Sequence, residues 1–240
     1  IINSDKILKD SKLKDYKNLI KQRSLGKPIA YLIKKKDFWK SEFEICDGVL
    51  IPRPDTEILI QETLKMYKKK DNIKVLDIGV GSGCILLSIL KEKPNFYGTG
   101  IDISSKSINL SRINAKKLGL NNKVKLIKTN VDNFCFGKYD LIVSNPPYIN
   151  KNDLKYLEKD VSCYEPIMAL DGGLDGTLKI AEIIKKASSL LKINGKLVLE
   201  IGYNQKTKVS ELLKKKGYYI NKIIKDYARN DRCIISTKIR

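Results

Sequence analysis

The part of the sequence that most restricts the fold runs from residue 72 to the C-terminus, where short apolar segments alternate with segments of helical periodicity. This alternation is typical of βαβ units, in which parallel strands form a sheet and the connecting helices cover its faces. The chain therefore belongs to the α/β class. The predicted strands are residues 74–78, 97–101, 124–128, 141–144, 196–201, 218–224 and 232–237. The predicted helices are residues 84–91, 105–118, 176–191 and 205–216.

The last two predicted strands differ from the others in their connection. Residues 225–231 are too few for a crossover helix, so these two strands are expected to pair antiparallel. We therefore expect a seven-stranded, mostly parallel, doubly wound sheet with an antiparallel end. A chain of 240 residues is long enough to bury the core of such a fold without disulfides or metals.

The sequence before residue 72 has a different character. Apolar residues at helical spacing in the Lys-rich segment 5–25 predict a helix. Two alternating segments around an Asp-Gly pair predict a β-hairpin over 43–51. A further helix is expected over 54–69, with Asp55 or Thr56 as its N-cap. We expect three parts: an N-terminal helical segment 1–27, a hairpin and connecting helix 28–71, and a main domain 72–240.

Composition excludes several kinds of chemistry. Histidine is absent, which excludes Ser-His-Asp and Cys-His nucleophiles, histidine general bases and histidine-bound metals. The five cysteines form no C-x-x-C pair, so we expect no metal or redox motif and a reducing compartment. No uncharged stretch is long enough to span a membrane. The net charge of +20 has a similar density on both sides of residue 72, so it does not indicate a dedicated nucleic-acid groove.

A glycine-rich turn joins the first strand of the main domain to its first helix. It spans residues 77–83, and its glycines let the backbone approach a ligand where a Cβ would collide. Asp102 closes the second strand, where an acidic side chain can accept hydrogen bonds from both hydroxyls of an adenosine ribose. The loop alone leaves open an adenosylmethionine site, a nicotinamide or flavin site, and a structural turn. The dinucleotide pattern G-x-G-x-x-G favours glycine at position 84, where this sequence has Cys84.

The sequence Asn145-Pro146-Pro147-Tyr148 follows the predicted strand 141–144, at the edge where open α/β sheets bind ligands. Pro147 has no N–H, so the carbonyl of Pro146 is free to face a ligand. That carbonyl and the side-chain carbonyl of Asn145 are two acceptors for a planar –NH2 group of an amide or a base. Tyr148 is expected to pack on the flat face of this group. A rigid turn at the end of a strand is the alternative explanation.

The glycine loop followed by Asn-Pro-Pro-Tyr resembles the amino-methyltransferases that modify planar nitrogens in nucleic acids or proteins. Further segments resemble the PrmC/HemK family, the class I methyltransferases that use S-adenosyl-L-methionine to methylate a glutamine in peptide-chain release factors. These segments are residues 25–32, 37–39, 50–57, 164–176, 200–205 and 225–232. The resemblance implies a Rossmann-like methyltransferase fold and S-adenosyl-L-methionine as the cofactor. Members of this family have a helical domain before the first of these segments that helps to dock the release factor, so residues 1–27 are expected to be a truncated remnant of it, or this protein lacks it.

The resemblance assigns roles to individual residues, although Val80 stands where the family commonly has Thr and Asn130 where an acidic residue is usual. The implied catalytic residues are Asn145, Pro146, Pro147 and Tyr148. The implied cofactor-binding residues are Asp77, Gly79, Val80, Gly81, Ser82, Gly83, Asp102, Asn130, Val131 and Asn145. Arg53 and Glu57 are expected to bind substrate, or alternatively to form an ion pair at a helix N-terminus. The segment 150–175 is long enough to be a lid, or it is a packed connection.

The predicted reaction is methyl transfer to the glutamine amide nitrogen in the Gly-Gly-Gln motif of release factors, which supports translation termination. We expect a cytoplasmic monomer that contacts no membrane and binds no nucleic acid stably. Two alternatives are methylation of an exocyclic base amine of DNA or RNA and methylation of a ribosomal-protein glutamine. A protein that only bound adenosylmethionine would be expected to have a broken Asn-Pro-Pro-Tyr motif, and the motif is intact.

Overall fold

A computed structural model of the protein describes residues 10–68 and 72–239. Nine strands and eight α-helices, with short 3₁₀ turns between them, make up this part of the chain. The helices are α1 (Asp10–Ser24), α2 (Ile29–Ile33), α3 (Glu57–Met66), α4 (Cys84–Glu92), α5 (Ser105–Lys117), α6 (Lys159–Ser162), α7 (Leu178–Leu190) and α8 (Lys206–Lys215). The strands are β1 (Lys35–Phe38), β2 (Ser41–Glu44), β3 (Lys74–Ile78), β4 (Tyr97–Asp102), β5 (Val124–Lys128), β6 (Tyr139–Ser144), β7 (Leu191–Glu200), β8 (Tyr218–Lys225) and β9 (Asp231–Lys238).

Seven strands form one sheet in the order β5-β4-β3-β6-β7-β9-β8. The pairs from β5 to β7 are parallel, whereas β9 pairs antiparallel with both β7 and β8. This arrangement confirms the predicted sheet, including its antiparallel end. Strand order reverses between β3 and β6, and open α/β sheets bind ligands beyond the carboxyl ends of strands at such a point.

Apolar side chains on the two faces of this sheet form two separate clusters. In β6, Val143 belongs to one cluster and Ile142 to the other, because successive strand residues point to opposite faces. Helix α4 packs into the first cluster through Leu86, and helix α7 into the second through Ile183. Helices therefore cover both faces, as the doubly wound prediction requires.

The predicted hairpin over 43–51 is wrong in its position. The structure pairs β1 with β2, so the turn lies at residues 39–40 and the second segment, 49–51, forms no strand. Ile45 and Ile51 instead pack with Tyr31 in a small apolar cluster. A side chain replaces the missing strand partner of the backbone here, because the Tyr31 hydroxyl donates a hydrogen bond to the Val49 carbonyl at 2.7 Å. The Asp-Gly pair forms a turn, but the apolar residues on either side of it are buried in this cluster and do not pair as strands.

The two helices predicted before residue 72 are both present, with shifted boundaries. Helix α1 accounts for most of the segment 5–25, whose first residues lie outside the described part of the chain. A 3₁₀ turn over Pro54–Thr56 precedes α3, which ends at Met66. Thr56, one of the two predicted N-cap residues, occupies the N-cap position of α3, although its side chain makes no capping hydrogen bond. In the described ranges, every helix is too short or too polar to cross a membrane.

Candidate functional site

A cleft of about 290 Å³ opens beyond the carboxyl ends of β3, β4 and β6. Five stretches supply most of its lining: residues 48–53, 78–82, 101–104, 129–131 and 145–147. The glycine loop, Asp102 and the Asn-Pro-Pro turn therefore meet in one cavity, although the sequence separates them by up to about seventy residues. Asp77, Gly83 and Tyr148 are not among the lining residues.

The three glycines of the loop adopt backbone conformations that side chains disfavour. Gly79, Gly81 and Gly83 have φ angles of 80°, 55° and 84°. A Cβ at Gly79 or Gly81 would meet no atom within 4 Å, so the loop presents bare backbone to open space. A Cβ at Gly83 would approach Leu87 to 2.8 Å, so this glycine permits the close packing of α4.

Asp102 lies at the end of β4 and lines the cleft. Its two carboxylate oxygens accept hydrogen bonds from the backbone N–H groups of Gly81, at 3.0 Å, and Ser104, at 2.8 Å. Burial raises the pKa of this carboxyl, and hydrogen bonds from Ser104, Gly81, Ser107 and Ile103 oppose the rise. Asp102 thus fixes the glycine loop and presents a partly exposed carboxylate to the cleft.

Asp77 is fully buried at the start of the loop. Neither of its carboxylate oxygens has a hydrogen-bond partner among the described residues. Burial, with a smaller contribution from the charge of Asp102, raises the pKa of Asp77 to about 8. The structure therefore places Asp77 behind the surface of the cleft and not among the residues that line it.

Asn130 and Val131 both line the cleft at the end of β5. The side-chain oxygen of Asn130 accepts a hydrogen bond from the backbone N–H of Asp132 at 3.1 Å, which begins a short 3₁₀ turn. Asn130 is one of the implied cofactor-binding residues, and this oxygen is the acceptor that it can offer to a cofactor amine. It retains one lone pair for that purpose, while the existing bond holds the side chain in place.

The Asn-Pro-Pro turn brings its first three residues to the cleft. The side-chain nitrogen of Asn145 donates to the hydroxyl of Thr56 at 3.1 Å. The side-chain oxygen of Asn145 then has no partner in the described part of the chain, and it is available to a ligand –NH2 group. The hydroxyl of Tyr148 lies instead beside Glu200 and Arg232, at 3.1 Å and 3.3 Å. Tyr148 is therefore not brought to the cleft that it was expected to line.

Comparison with known proteins shows which family this chain belongs to. The family model "Methyltransferase small domain" matches residues 54–159. The chain is 39% identical to a release factor glutamine methyltransferase of Buchnera aphidicola subsp. Acyrthosiphon pisum, over 99% of this chain and 85% of the relative. It is 37% identical to one from Caulobacter vibrioides, over 94% of this chain and 78% of the relative. The chain belongs to the family of release factor glutamine methyltransferases. The resemblance found in the sequence is thereby confirmed.

The fold is shared more widely than the family. A solved methyltransferase structure from Pyrococcus furiosus superposes with a TM-score of 0.63 at 20% identity, covering 94% of this chain and 99% of that chain. At that level of identity the similarity concerns the fold alone. It confirms the predicted Rossmann-like methyltransferase architecture.

The structure separates the two residues that were expected to bind substrate. Arg53 lines the cleft and forms an ion pair with the buried carboxylate of Glu165. The Glu57 carboxylate accepts a hydrogen bond from the backbone N–H of Trp39 at 2.7 Å, and Glu57 does not line the cleft. The alternative of an Arg53–Glu57 ion pair is not what the structure shows.

The connection between β6 and α7 is packed rather than free. Its chain pairs with itself through a bridge between Ile149 and Asp171. Glu165 also accepts the backbone N–H of Ile51 at 3.2 Å, and the Tyr164 hydroxyl donates to the Leu25 carbonyl at 3.1 Å. These contacts support the packed interpretation of segment 150–175 over the lid.

Sequence reasoning missed three polar residues that hold this family site together. Thr56 and Glu200 are buried behind Asn145, and the Gln205 side chain donates to the Tyr148 carbonyl at 2.8 Å, which fixes the turn. Two signals were present: segments 50–57 and 200–205 resemble the family, and Glu200 ends an otherwise apolar strand, where a charge is out of place without a partner. No cluster of Cys, Asp or Glu in residues 10–68 and 72–239 could hold a metal ion.

Proposed function

We propose that the protein transfers a methyl group from S-adenosyl-L-methionine to the side-chain nitrogen of the glutamine in the Gly-Gly-Gln motif of release factors. The observation that carries this proposal is the unpartnered side-chain oxygen of Asn145 in a cleft that Asp102 and the glycine loop also line. A methyl donor and a planar amide can share such a cavity. Release factors are the protein substrate, and the reaction supports translation termination.

The lining residues fit S-adenosyl-L-methionine chemically. Asp102 would accept from ribose hydroxyls through its carboxylate, and Asn130 and Val131 would give an adenine ring an acceptor and an apolar surface. Gly79 and Gly81 leave open space beside their backbone for the rest of the molecule. When bound, S-adenosyl-L-methionine supplies an electrophilic methyl group on a positively charged sulfur.

The chain's own contribution to the reaction is to hold the acceptor. An amide nitrogen is a poor nucleophile, because its lone pair is delocalised into the carbonyl. Asn145 and the Pro146 carbonyl would accept its two hydrogens and orient the nitrogen toward the methyl donor. As the nitrogen gains the methyl group, the bond from that methyl to sulfur breaks and the nitrogen releases one of its two hydrogens as a proton to solvent. Correct placement alone can account for a large part of the rate, and no histidine is required.

The proposal also covers the cellular location of the protein, its oligomeric state and its binding to nucleic acid. Release factors act on ribosomes, so we place the protein in the cytoplasm, which agrees with five free cysteines. We propose that it acts as a monomer and binds no nucleic acid stably. Methylation of an exocyclic base amine is the competing function, since the same two acceptors fit a base –NH2 group and the net charge is +20.

Transfer of labelled methyl from S-adenosyl-L-methionine tests the proposal. The acceptors are a purified release factor, the same factor with its Gly-Gly-Gln glutamine changed to Ala, and ribosomal RNA or DNA. We expect label on the first acceptor only. Label on RNA or DNA and on neither release factor would replace the proposal with the competing function.

A further inference from the structure

A row of side chains links the cleft to the interior of the protein. It begins at Asn145, whose nitrogen donates to Thr56 at 3.1 Å. The Thr56 hydroxyl donates to one oxygen of Glu200 at 2.7 Å, and the Tyr148 hydroxyl donates to the other at 3.1 Å. Thr56 and Glu200 are buried, with 2% and 1% of their surface exposed. Water therefore has little access to supply alternative partners.

When Glu200 is ionised, the number of hydrogens in this row fixes the direction of each hydrogen bond. An ionised carboxylate only accepts, so Glu200 takes the single hydroxyl hydrogen of Thr56. Thr56 then has only lone pairs left for Asn145, which must turn its –NH2 group toward Thr56. The side-chain oxygen of Asn145 is thereby left for the cleft. If the Thr56 hydroxyl could instead donate to Asn145, the Asn145 side chain could turn its oxygen toward Thr56 and its –NH2 group toward the cleft equally well.

At the other end of the row, Arg232 ensures that Tyr148 also donates its hydroxyl hydrogen to Glu200. Arg232 has only donors, and its guanidinium lies 3.3 Å from the Tyr148 hydroxyl. Tyr148 accepts from Arg232 and so directs its own hydrogen to Glu200. Asp226 holds the guanidinium from the other side at 3.0 Å. Glu200 is consequently an acceptor at both oxygens.

We propose that Thr56 and Glu200 are positioning residues for methyl transfer, which orient the Asn145 amide so that its oxygen faces the substrate. The inference rests on the proposed function, because it assumes that Asn145 receives an –NH2 group. Glu200 does not line the cleft, and Thr56 reaches it with only 2% of its surface exposed, so both are placed to act through Asn145. They act by excluding the flipped amide, in which Asn145 would present –NH2 to another –NH2 and repel it.

Paired substitutions of Thr56 test the proposal. Thr56→Val keeps the shape but removes the hydroxyl, whereas Thr56→Ser keeps the hydroxyl. We expect Val to lower kcat about 10- to 100-fold, since a misplaced substrate costs that much. The dissociation constant of S-adenosyl-L-methionine should not change, and Ser should retain most of the activity. Equal activity of the Val and Ser variants, with both folded by thermal unfolding, would overturn the proposal.

Glu200→Gln provides an independent test. A glutamine side chain has one accepting oxygen and one donating –NH2 group, so it can accept from only one of the Thr56 and Tyr148 hydroxyls. The hydrogen of the other hydroxyl is then free to point elsewhere. We expect a similar loss of kcat, and the Thr56→Val, Glu200→Gln double variant should lose no more than either single variant. Additive losses would show that the two residues act separately and would overturn the proposal.

An NMR measurement separates this inference from the proposed function. The side-chain –NH2 of Asn145, assigned by its loss in Asn145→Asp, should exchange slowly in the wild type and in Thr56→Ser. It should exchange quickly in Thr56→Val. Slow exchange without methylation of any release factor would contradict the proposed function and retain the orientation of Asn145. Exchange that is fast in the wild type would contradict the orientation itself.

Discussion

The cleft has two sides that are built in different ways. On one side, the glycine loop and Asp102 come from consecutive strands, and their contacts are mainly to backbone N–H groups. On the other side, Asn145 is held by Thr56 and Glu200, which are 89 and 55 positions away in the sequence. The first side depends on local backbone geometry, whereas the second depends on side chains that only the completed fold brings together. We infer that the first binds the methyl donor and the second the acceptor, so substitutions should separate the two functions.

The largest effect is expected on the acceptor side. Asn145→Ala removes the oxygen that receives the substrate –NH2 group, so kcat should fall about 100- to 1,000-fold, as when an oxyanion-hole donor is removed. The dissociation constant of S-adenosyl-L-methionine should change little. Equal losses of turnover and cofactor binding would contradict the division between the two sides. Steady-state kinetics and calorimetric titration give the two quantities.

The converse result is expected on the donor side. Asp102→Asn removes a charged acceptor of two ligand hydroxyls, and a hydrogen bond to a charged group contributes about 1.5–3 kcal/mol. We expect the cofactor to bind about 10- to 100-fold more weakly, by the usual conversion of free energy to affinity. At saturating cofactor, kcat should stay near the wild-type value. Glu211→Gln, at an exposed position on α8, is the matched control.

The pH dependence of turnover should report on the acceptor side. Burial raises the pKa of Glu200 to about 7, against the lowering effects of Thr56, Arg232 and Tyr148. Arg232 and Asp55 face this carboxyl as charged groups, and the Tyr148 hydroxyl, whose pKa burial raises, stays neutral. The ionised form of Glu200 is the one that fixes Thr56 as a donor. Turnover should therefore fall as the pH decreases through about 7.

A pH profile of kcat in the wild type, Glu200→Gln and Asp102→Asn assigns this acid limb. The Gln variant should lose the limb, and Asp102→Asn should keep it. A limb that persists in Glu200→Gln would show that another group causes it.

The smallest effect is expected outside the cleft. Glu57 accepts a backbone hydrogen bond from Trp39 and lines neither side. We expect Glu57→Gln to leave KM for the release factor and kcat within about twofold, as for substitutions worth less than about 0.5 kcal/mol. A large rise in KM would restore Glu57 to the substrate-binding role that the sequence indicated.

The same contrast explains what could be predicted from the sequence. The glycine loop, Asp102 and the seven-stranded sheet follow from contiguous motifs and periodicity, and the structure contains them at the expected positions. The hairpin over 43–51 was misplaced because burial of Ile45 and Ile51 against Tyr31 is a long-range effect. Glu200 and Thr56 were missed as site residues for the same reason. Nothing in the sequence near either residue shows that they meet.

Tyr148 illustrates a subtler difference. Its motif predicts a residue at the cleft, yet its hydroxyl is drawn inward by Glu200 and Arg232. Arg232 lies on β9, 84 positions further along the chain. Only the antiparallel end of the sheet brings that guanidinium to the motif. A motif therefore located the site, and the tertiary structure determined which of its side chains line the cleft.

Mass spectrometric mapping of the methylated atom tests the central claim most directly. A release factor incubated with the wild-type protein and S-adenosyl-L-methionine is digested, and its peptides are fragmented. The account predicts a single methyl group on the side-chain nitrogen of the Gly-Gly-Gln glutamine, with much less product from Asn145→Ala. A methyl group on another residue or on nucleic acid, with the glutamine unmodified, would contradict it.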